Sequence, residues 1–185
     1  MKTVIAITGM PGSGKSKLGE ILQKNGIKRV GMGDAVRKEM RSKGMEITNV
    51  SLRKYALHIR KKFGNSYVLS LVNKDVKDIL KTEDMVLLDG ARNLSEINVL
   101  RRESYRTVII ALVADRMTRY IRIVNRGLSS DLKTFREFDW REAQELKFGV
   151  AEVIASADYY ILNNSTVRRL KKDALKIIRD LPSKK

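Results

Sequence analysis

The sequence predicts an α/β fold in which a parallel β-sheet is covered by helices on both faces. Three observations carry this expectation. Five short apolar runs bounded by turn signals recur along the chain, at Val4–Thr8, Lys28–Met32, Met85–Leu88, Thr107–Val113 and Tyr159–Leu162. Longer stretches with helical spacing separate them, so strand and helix alternate as in βαβ units. Met85-Val86-Leu87-Leu88 and Val108 to Val113 are apolar throughout, as strands buried on both faces are. At 185 residues the chain, 1–185, is the size of one domain with a sizeable core, and it contains no linker, repeat or low-complexity tract.

The first run leads directly into Gly9-Met10-Pro11-Gly12-Ser13-Gly14-Lys15-Ser16. Two glycines bracket four residues and are followed by Lys and Ser, the pattern of a phosphate-binding loop. Lys17-Leu18-Gly19-Glu20-Ile21-Leu22 carries a helix out of it. The glycines let the backbone curl so that several N–H groups point at one phosphate, and the helix start adds partial positive charge. Lys15 neutralises the outer phosphates and Ser16 holds a magnesium ion in this reading.

After the second run comes Gly33-Asp34-Ala35-Val36-Arg37. Asp34 and Arg37 lie three apart and share a helix face. The carboxylate can accept from a metal-bound water and the guanidinium can grip a phosphate, although an ordinary helix-start pair is an equal alternative. The third run ends in Asp89-Gly90-Ala91-Arg92. An Asp at the carboxyl end of a buried strand lies beside the phosphate loop and can hold the metal through water. Its alternative is a cap on the next helix, a role that suits Asn93 or Ser95 better.

The fourth run is followed by Arg116, Arg119, Arg122 and Arg126. At 100° per residue the last three fall within roughly one sixth of the circumference, while Met117, Ile121 and Val124 lie elsewhere and are expected to pack inward. Without an acidic residue at i+4 such a row is self-repelling unless it meets an anion. Arg116 and Arg119 read as a hydrated surface, Arg122 and Arg126 as phosphate or base contacts, and Arg136 and Arg141 continue the set. Two helical stretches, Met45 to Lys81 and Ser129 to Ser156, exceed what a crossover needs and are expected above the carboxyl ends of the strands. His58, the only histidine, has no nearby metal ligands, and Phe135, Phe138 and Trp140 read as packing or hinge residues.

Composition sets the remaining bounds. The chain has no cysteine, which excludes disulfides and thiolate chemistry and suits a reducing, cytoplasmic interior or a hot one. No apolar run is long enough to cross a bilayer, and the amino terminus lacks a signal-peptide core. The formal net charge of +17 calls for anionic partners: polyphosphate substrates, nucleic acid or an anionic surface. Basic residues cluster at Arg53-Lys54, at Arg60-Lys61-Lys62 and at Arg168-Arg169-Lys171-Lys172, the last on what reads as the solvated face of a terminal helix.

These motifs, in this order, resemble the nucleoside monophosphate kinases, adenylate kinase above all, and most closely an archaeal group of adenylate-kinase-related proteins. Gly9 to Ser16 is similar to their phosphate loop, Gly33-Asp34-Ala35-Val36-Arg37 to their Gly-Asp-x-x-Arg, and Asp89-Gly90-Ala91-Arg92 to their Asp-Gly-Phe-Pro-Arg, one residue short and without Pro. Arg122-Ile123-Val124-Asn125-Arg126 resembles the arginine pair that opens their lid. Met32 stands in place of a Thr, and Arg136 and Arg141 are closer together than the second lid pair. Ala157 to Asn164 also looks like dephospho-coenzyme A kinase.

The resemblance implies a three-layer α/β/α P-loop NTPase fold with a five-stranded parallel sheet, an acceptor-binding insertion (34–73) and a lid (125–144). It implies ATP contacts from Gly9, Met10, Pro11, Gly12, Ser13, Gly14, Lys15, Ser16 and Lys17, with Arg122, Asn163 and Asn164 at the adenine. Arg37 and Arg92 would hold the acceptor phosphate, Asp34 would belong to the same acceptor-binding site, and Glu96 replaces a Gln that reads the acceptor base. Lys15, Arg92, Arg126 and Arg136 or Arg141 would surround the transferred group, with Mg2+ on Ser16 directly and on Asp89 through water. The implied reaction is phosphoryl transfer from Mg-ATP to a small phosphate-bearing acceptor, AMP first. Dephospho-coenzyme A or another small molecule is the first alternative, and an RNA- or ribosome-associated ATP-binding switch the second.

Overall fold

A computed structural model describes residues 1–126 and 134–181. In chain order the elements are β1 (Thr3–Thr8), α1 (Lys15–Lys24), β2 (Lys28–Gly31), α2 (Met32–Ser42), α3 (Asn49–Phe63), α4 (Tyr67–Thr82), β3 (Met85–Asp89) and α5 (Leu94–Arg102). There follow β4 (Arg106–Val113), α6 (Arg116–Asn125), α7 (Phe135–Lys147), α8 (Val150–Ala155), β5 (Tyr159–Leu162) and α9 (Val167–Asp180). The five strands form one sheet in the order β2-β3-β1-β4-β5, every pair parallel. The expected three-layer, five-stranded architecture is what the chain adopts.

The period of two in a strand divides the core. Val4 and Ala6 of β1, with Val86 and Leu88 of β3, enter a cluster with Val36, Met40, Ile59, Leu69 and Val76 from α2, α3 and α4. Ile5 and Ile7, with Leu87, Val108 and Ile110, turn to the opposite face against Leu18 and Leu22 of α1 and Leu170 and Ala174 of α9. All six residues of β1 are buried, which is why its sequence lacks an alternating polar face.

Helix α6 departs from expectation. Its buried residues are Arg119 and Ile123, while Met117, Ile121 and Val124 are 55%, 48% and 38% exposed. The helix is turned because α7 supplies the acids that α6 lacks. Arg116 pairs with Asp139 and Glu142, and Arg119 pairs with Glu142 and donates to the carbonyls of Ala114 and Pro11. A guanidinium satisfied on every side can be buried. Arg119 is therefore not the hydrated surface residue that the sequence suggested, whereas Arg116 stays exposed at the surface while pairing with its two acids. Phe138 is fully buried beside Tyr120 and Phe135 and so packs, whereas Trp140 is 40% exposed. Within the segment read as a lid, residues 127–133 lie outside those described.

Candidate phosphoryl-transfer site

The loop after β1 is shaped by glycines. Gly12 and Gly14 have φ of 78° and 106°, in the left-handed region that L side chains rarely enter. A Cβ on Gly12 would strike the carbonyl of Arg119, and one on Gly14 the amide nitrogen of Asn163. Gly14 caps α1 and brings no side chain to its first-turn N–H groups, so those donors face the cavity above the loop. The Lys15 ammonium folds back over the loop and donates to the carbonyls of Gly9 (2.5 Å) and Met10 (3.0 Å).

β1 pairs with β3 so that Ile7 lies opposite Asp89, which brings the Asp89 carboxylate beside the loop. Arg29 of β2 donates from Nε (2.9 Å) and Nη2 (2.7 Å) to Asp89 Oδ2, and its Nη1 reaches Asp34 Oδ2 at 3.2 Å. Asp34 accepts from Arg37 as well, at 2.9 Å. An exposed hydroxyl, Ser16, and the Asp89 carboxylate therefore flank the loop. Hard oxygen donors, few in number, suit a magnesium ion that keeps several waters and substrate phosphates as ligands. No cluster of three acidic or histidine ligands exists among the described residues.

Two adjoining cavities lie above the sheet. The larger, of about 520 Å3, is lined by Pro11, Gly12 and Gly14 to Lys17 of the loop and by Arg29, Arg37, Asp89, Arg92, Arg122, Arg126, Arg141 and Glu145. The smaller, of about 80 Å3, shares Arg37, Arg92, Arg141 and Glu145 and adds Arg53 of α3. Arg92 donates from Nε to Glu145 Oε2 at 2.7 Å and lies over the Phe148 ring. Glu145 strengthens the charged form of Arg92. Burial alone would raise the Glu145 carboxyl, but Arg92, Lys15, Arg53 and Arg141 together hold it below the usual carboxylate range.

Several sequence-derived roles change. Glu96 lies outside both cavities and is fully buried. Its Oε1 accepts from Arg60 at 2.7 Å, and its Oε2 accepts from the backbone N–H of Arg92 and Asn93. It is the third residue of a capping box on α5 whose N-cap is Asn93, so both oxygens are committed and none is left to read a base. Asn163 is also buried and donates its amide to the Ser13 carbonyl at 2.8 Å, bracing the loop from below. Asn164 accepts from the Asp115 N–H. Arg136 is exposed and lines neither cavity, because five helical residues rotate it about 140° away from Arg141.

Arg122 and Arg126 line the larger cavity, Arg122 within 3.5 Å of the Ser165 carbonyl. Arg29, Arg53 and Glu145 were not singled out from sequence. Arg29 is the second residue of a short strand and belongs to no motif, Arg53 belongs to a nondescript basic cluster, and Glu145 is one of many helical acids.

Burial lowers the Lys15 ammonium to about 8, with Arg92 and Arg141 adding to the fall while Glu145 and Asp89 oppose it. A bound polyphosphate favours the charged form. Above about pH 8 the site must therefore take up a proton when nucleotide binds. ATP affinity is expected to be flat below that pH and to fall by up to about tenfold per unit above it. Calorimetric titration between about pH 7 and 10 checks this, and Lys15→Arg should abolish the slope; a flat profile for the unaltered protein contradicts it.

A curled glycine loop after the first strand, a lysine over it and a carboxylate on the neighbouring strand define a P-loop protein of kinase-like fold. The chain belongs to the AAA domain family, whose model matches residues 5–147, and to the UPF0200 proteins. It is 36% identical over 185 residues to the UPF0200 protein PH1008 of Pyrococcus horikoshii, covering 97% of this chain and all of that one. It is 33% identical to the UPF0200 protein TK1334 of Thermococcus kodakarensis, over 98% of this chain and 99% of the relative. Among solved structures it is similar to TT1252 from Thermus thermophilus, with TM-score 0.67, 20% identity, and 98% and 99% of the two chains covered. It is also similar to shikimate kinase from Acinetobacter baumannii in complex with shikimate, with TM-score 0.58, 17% identity, and 98% and 96% covered. Among the described residues no helix is long and apolar enough to cross a membrane.

Proposed function

We propose that this protein transfers the γ-phosphoryl group of Mg-ATP to a small phosphate-bearing acceptor, with AMP as the first candidate. The observation that supports it best is convergence: Arg37, Arg92 and Arg141 face the Lys15 loop across one cavity. Phosphoryl transfer through a loose transition state needs positioning and positive charge more than a base. The backbone N–H groups from Gly9 to Lys15 cradle the donor phosphates. Lys15 leaves its carbonyl partners for the γ-phosphate and follows it. An acceptor phosphate oxygen forms the new P–O bond as the bond to the ADP oxygen breaks, with Arg37 and Arg92 holding the acceptor and Arg126 and Arg141 meeting the transferred charge.

Ser16 and Asp89 would hold the magnesium ion, which supplies charge neutralisation between the phosphates. Residues 34–73 act as the acceptor-binding insertion and 125–144 as a lid whose closure excludes water. For the AMP reading, the family resemblance is the support. A non-nucleotide acceptor is favoured by one observation: the position expected to read a base is sealed by Arg60 and Glu96.

ADP formation measured across a panel of nucleoside monophosphates, dephospho-coenzyme A and small phosphorylated acids tests the proposal. At least one acceptor should be phosphorylated, and Arg92→Ala should lower kcat/KM for it by about 10²–10³-fold. If no acceptor is phosphorylated while RNA binds tightly in a salt-dependent manner, even with Arg37 and Arg92 both replaced, the protein is a nucleotide-binding RNA partner instead.

A further inference from the structure

We infer that the acceptor carries a second anionic group besides its phosphate, and that Arg53 binds this group at the end of the site remote from Lys15. The inference rests on the phosphoryl-transfer reading above and narrows its substrate class. Arg53 is 8% exposed on α3. Its Nη1 donates to the Asn49 carbonyl at 2.9 Å, and its guanidinium lies 5.9 Å from the Trp140 ring centre. Among the described residues no carboxylate lies within ion-pair distance of it.

The other arginines of this region show what is missing. Arg29 has Asp89, Arg37 has Asp34, Arg92 has Glu145, Arg60 has Glu96 and Arg119 has Glu142. A buried guanidinium without a counterion is costly, so a fold that keeps one there is arranged for an anion that arrives from outside. Burial first, then Arg141, Arg92 and Arg37, lower the Arg53 guanidinium to about 10, with Glu145 opposing.

The cavities fix where that anion sits. Arg37, Arg92 and Arg141 line both, whereas Arg53 lines only the smaller one, away from the loop. A phosphate held by the shared arginines therefore leaves Arg53 beyond it. In the smaller cavity Arg37 is already matched by Asp34 and Arg92 by Glu145, while among the described residues Arg53 has no such partner. Leu52, Ala56 and Phe148 give the cavity an apolar wall for a short carbon skeleton. The class that fits is a small phosphomonoester bearing a carboxylate or a second phosphate. AMP carries no second anionic group for Arg53.

The test saturates the loop with a non-hydrolysable ATP analogue and titrates two probes calorimetrically, inorganic phosphate and methylenebisphosphonate. The unaltered protein is expected to bind the bisphosphonate at least about tenfold more tightly than phosphate, a difference one charge-assisted contact supplies. Arg53→Gln should erase that ratio, Arg53→Lys should keep part of it, and neither should change affinity for the ATP analogue, which reports an intact fold. In the acceptor panel, Arg53→Gln should raise KM for bis-anionic acceptors and leave kcat nearly unchanged. Equal binding of the two probes by the unaltered protein overturns the inference. So does turnover that is best with AMP and indifferent to Arg53→Gln, an outcome that leaves phosphoryl transfer standing. Transfer to no acceptor, with the probe contrast intact, defeats the transfer reading and leaves the anion site.

Discussion

Replacing Lys15 with Met is expected to lower the rate of phosphoryl transfer by about 10³-fold, because it deletes the one cation that can travel with the γ-phosphate. The same change should not lower the melting temperature. In the folded protein Lys15 has a depressed pKa, about 8 against an ordinary 10.5, so its charged form is held at a cost at neutral pH that is relieved only as pH rises through 8. Methionine removes the cost together with the charge. Its loss also removes the donor to the Gly9 and Met10 carbonyls, an effect expected to be smaller than the cost of the buried charge. Single-turnover ADP formation and a thermal melt, run side by side, give both readouts. A variant that melts lower and retains most of its rate contradicts the role given to this residue.

The second large effect is expected away from the chemistry. Arg60 and Glu96 form an ion pair whose side chains are 4% and 0% exposed. Removing one partner leaves the other charged, buried and unmatched, and such losses run to about 3–5 kcal/mol. Arg60→Met should therefore lower the melting temperature by roughly 6–20 °C at this chain length. Glu96→Gln should do the same even though its amide oxygen can keep the cap of α5, and the double variant should cost less than the two singles together. Acceptor KM should stay unchanged in whatever fraction remains folded. A Glu96→Gln protein that melts normally but has a raised acceptor KM would restore Glu96 as a reader of the acceptor.

Much of this molecule was legible beforehand, and the boundary of legibility has a physical cause. The strands announce themselves because a central parallel strand has no solvent face, so Val4 to Thr8 and Val108 to Val113 read as unbroken apolar runs. The nucleotide loop is legible because its glycines answer to backbone geometry that no other residue satisfies cheaply. Side chains whose position depends on a distant partner were not. Arg119 looked like a surface arginine because its acid, Glu142, is 23 residues away on another helix. Glu96 sat at the right spacing to face an acceptor, yet Arg60, 36 residues earlier, draws it into the core. Arg53 and Glu145 line one cavity that the packing of α3 against the segment from α7 to Phe148 creates. Spacing along one helix predicts which face a residue shares, but not which neighbour will come to meet it.

The two halves of the crevice are unequal in stiffness. β1 is hydrogen-bonded on both flanks, to β3 and β4, so lifting the loop that follows it means prising open the middle of the sheet. Arg53 and Glu145 ride on helices that can slide or tilt without breaking a single interstrand bond. Any adjustment to a new guest is cheapest on that helical rim, and the triphosphate end stays in place as the stationary anvil against which the rim closes.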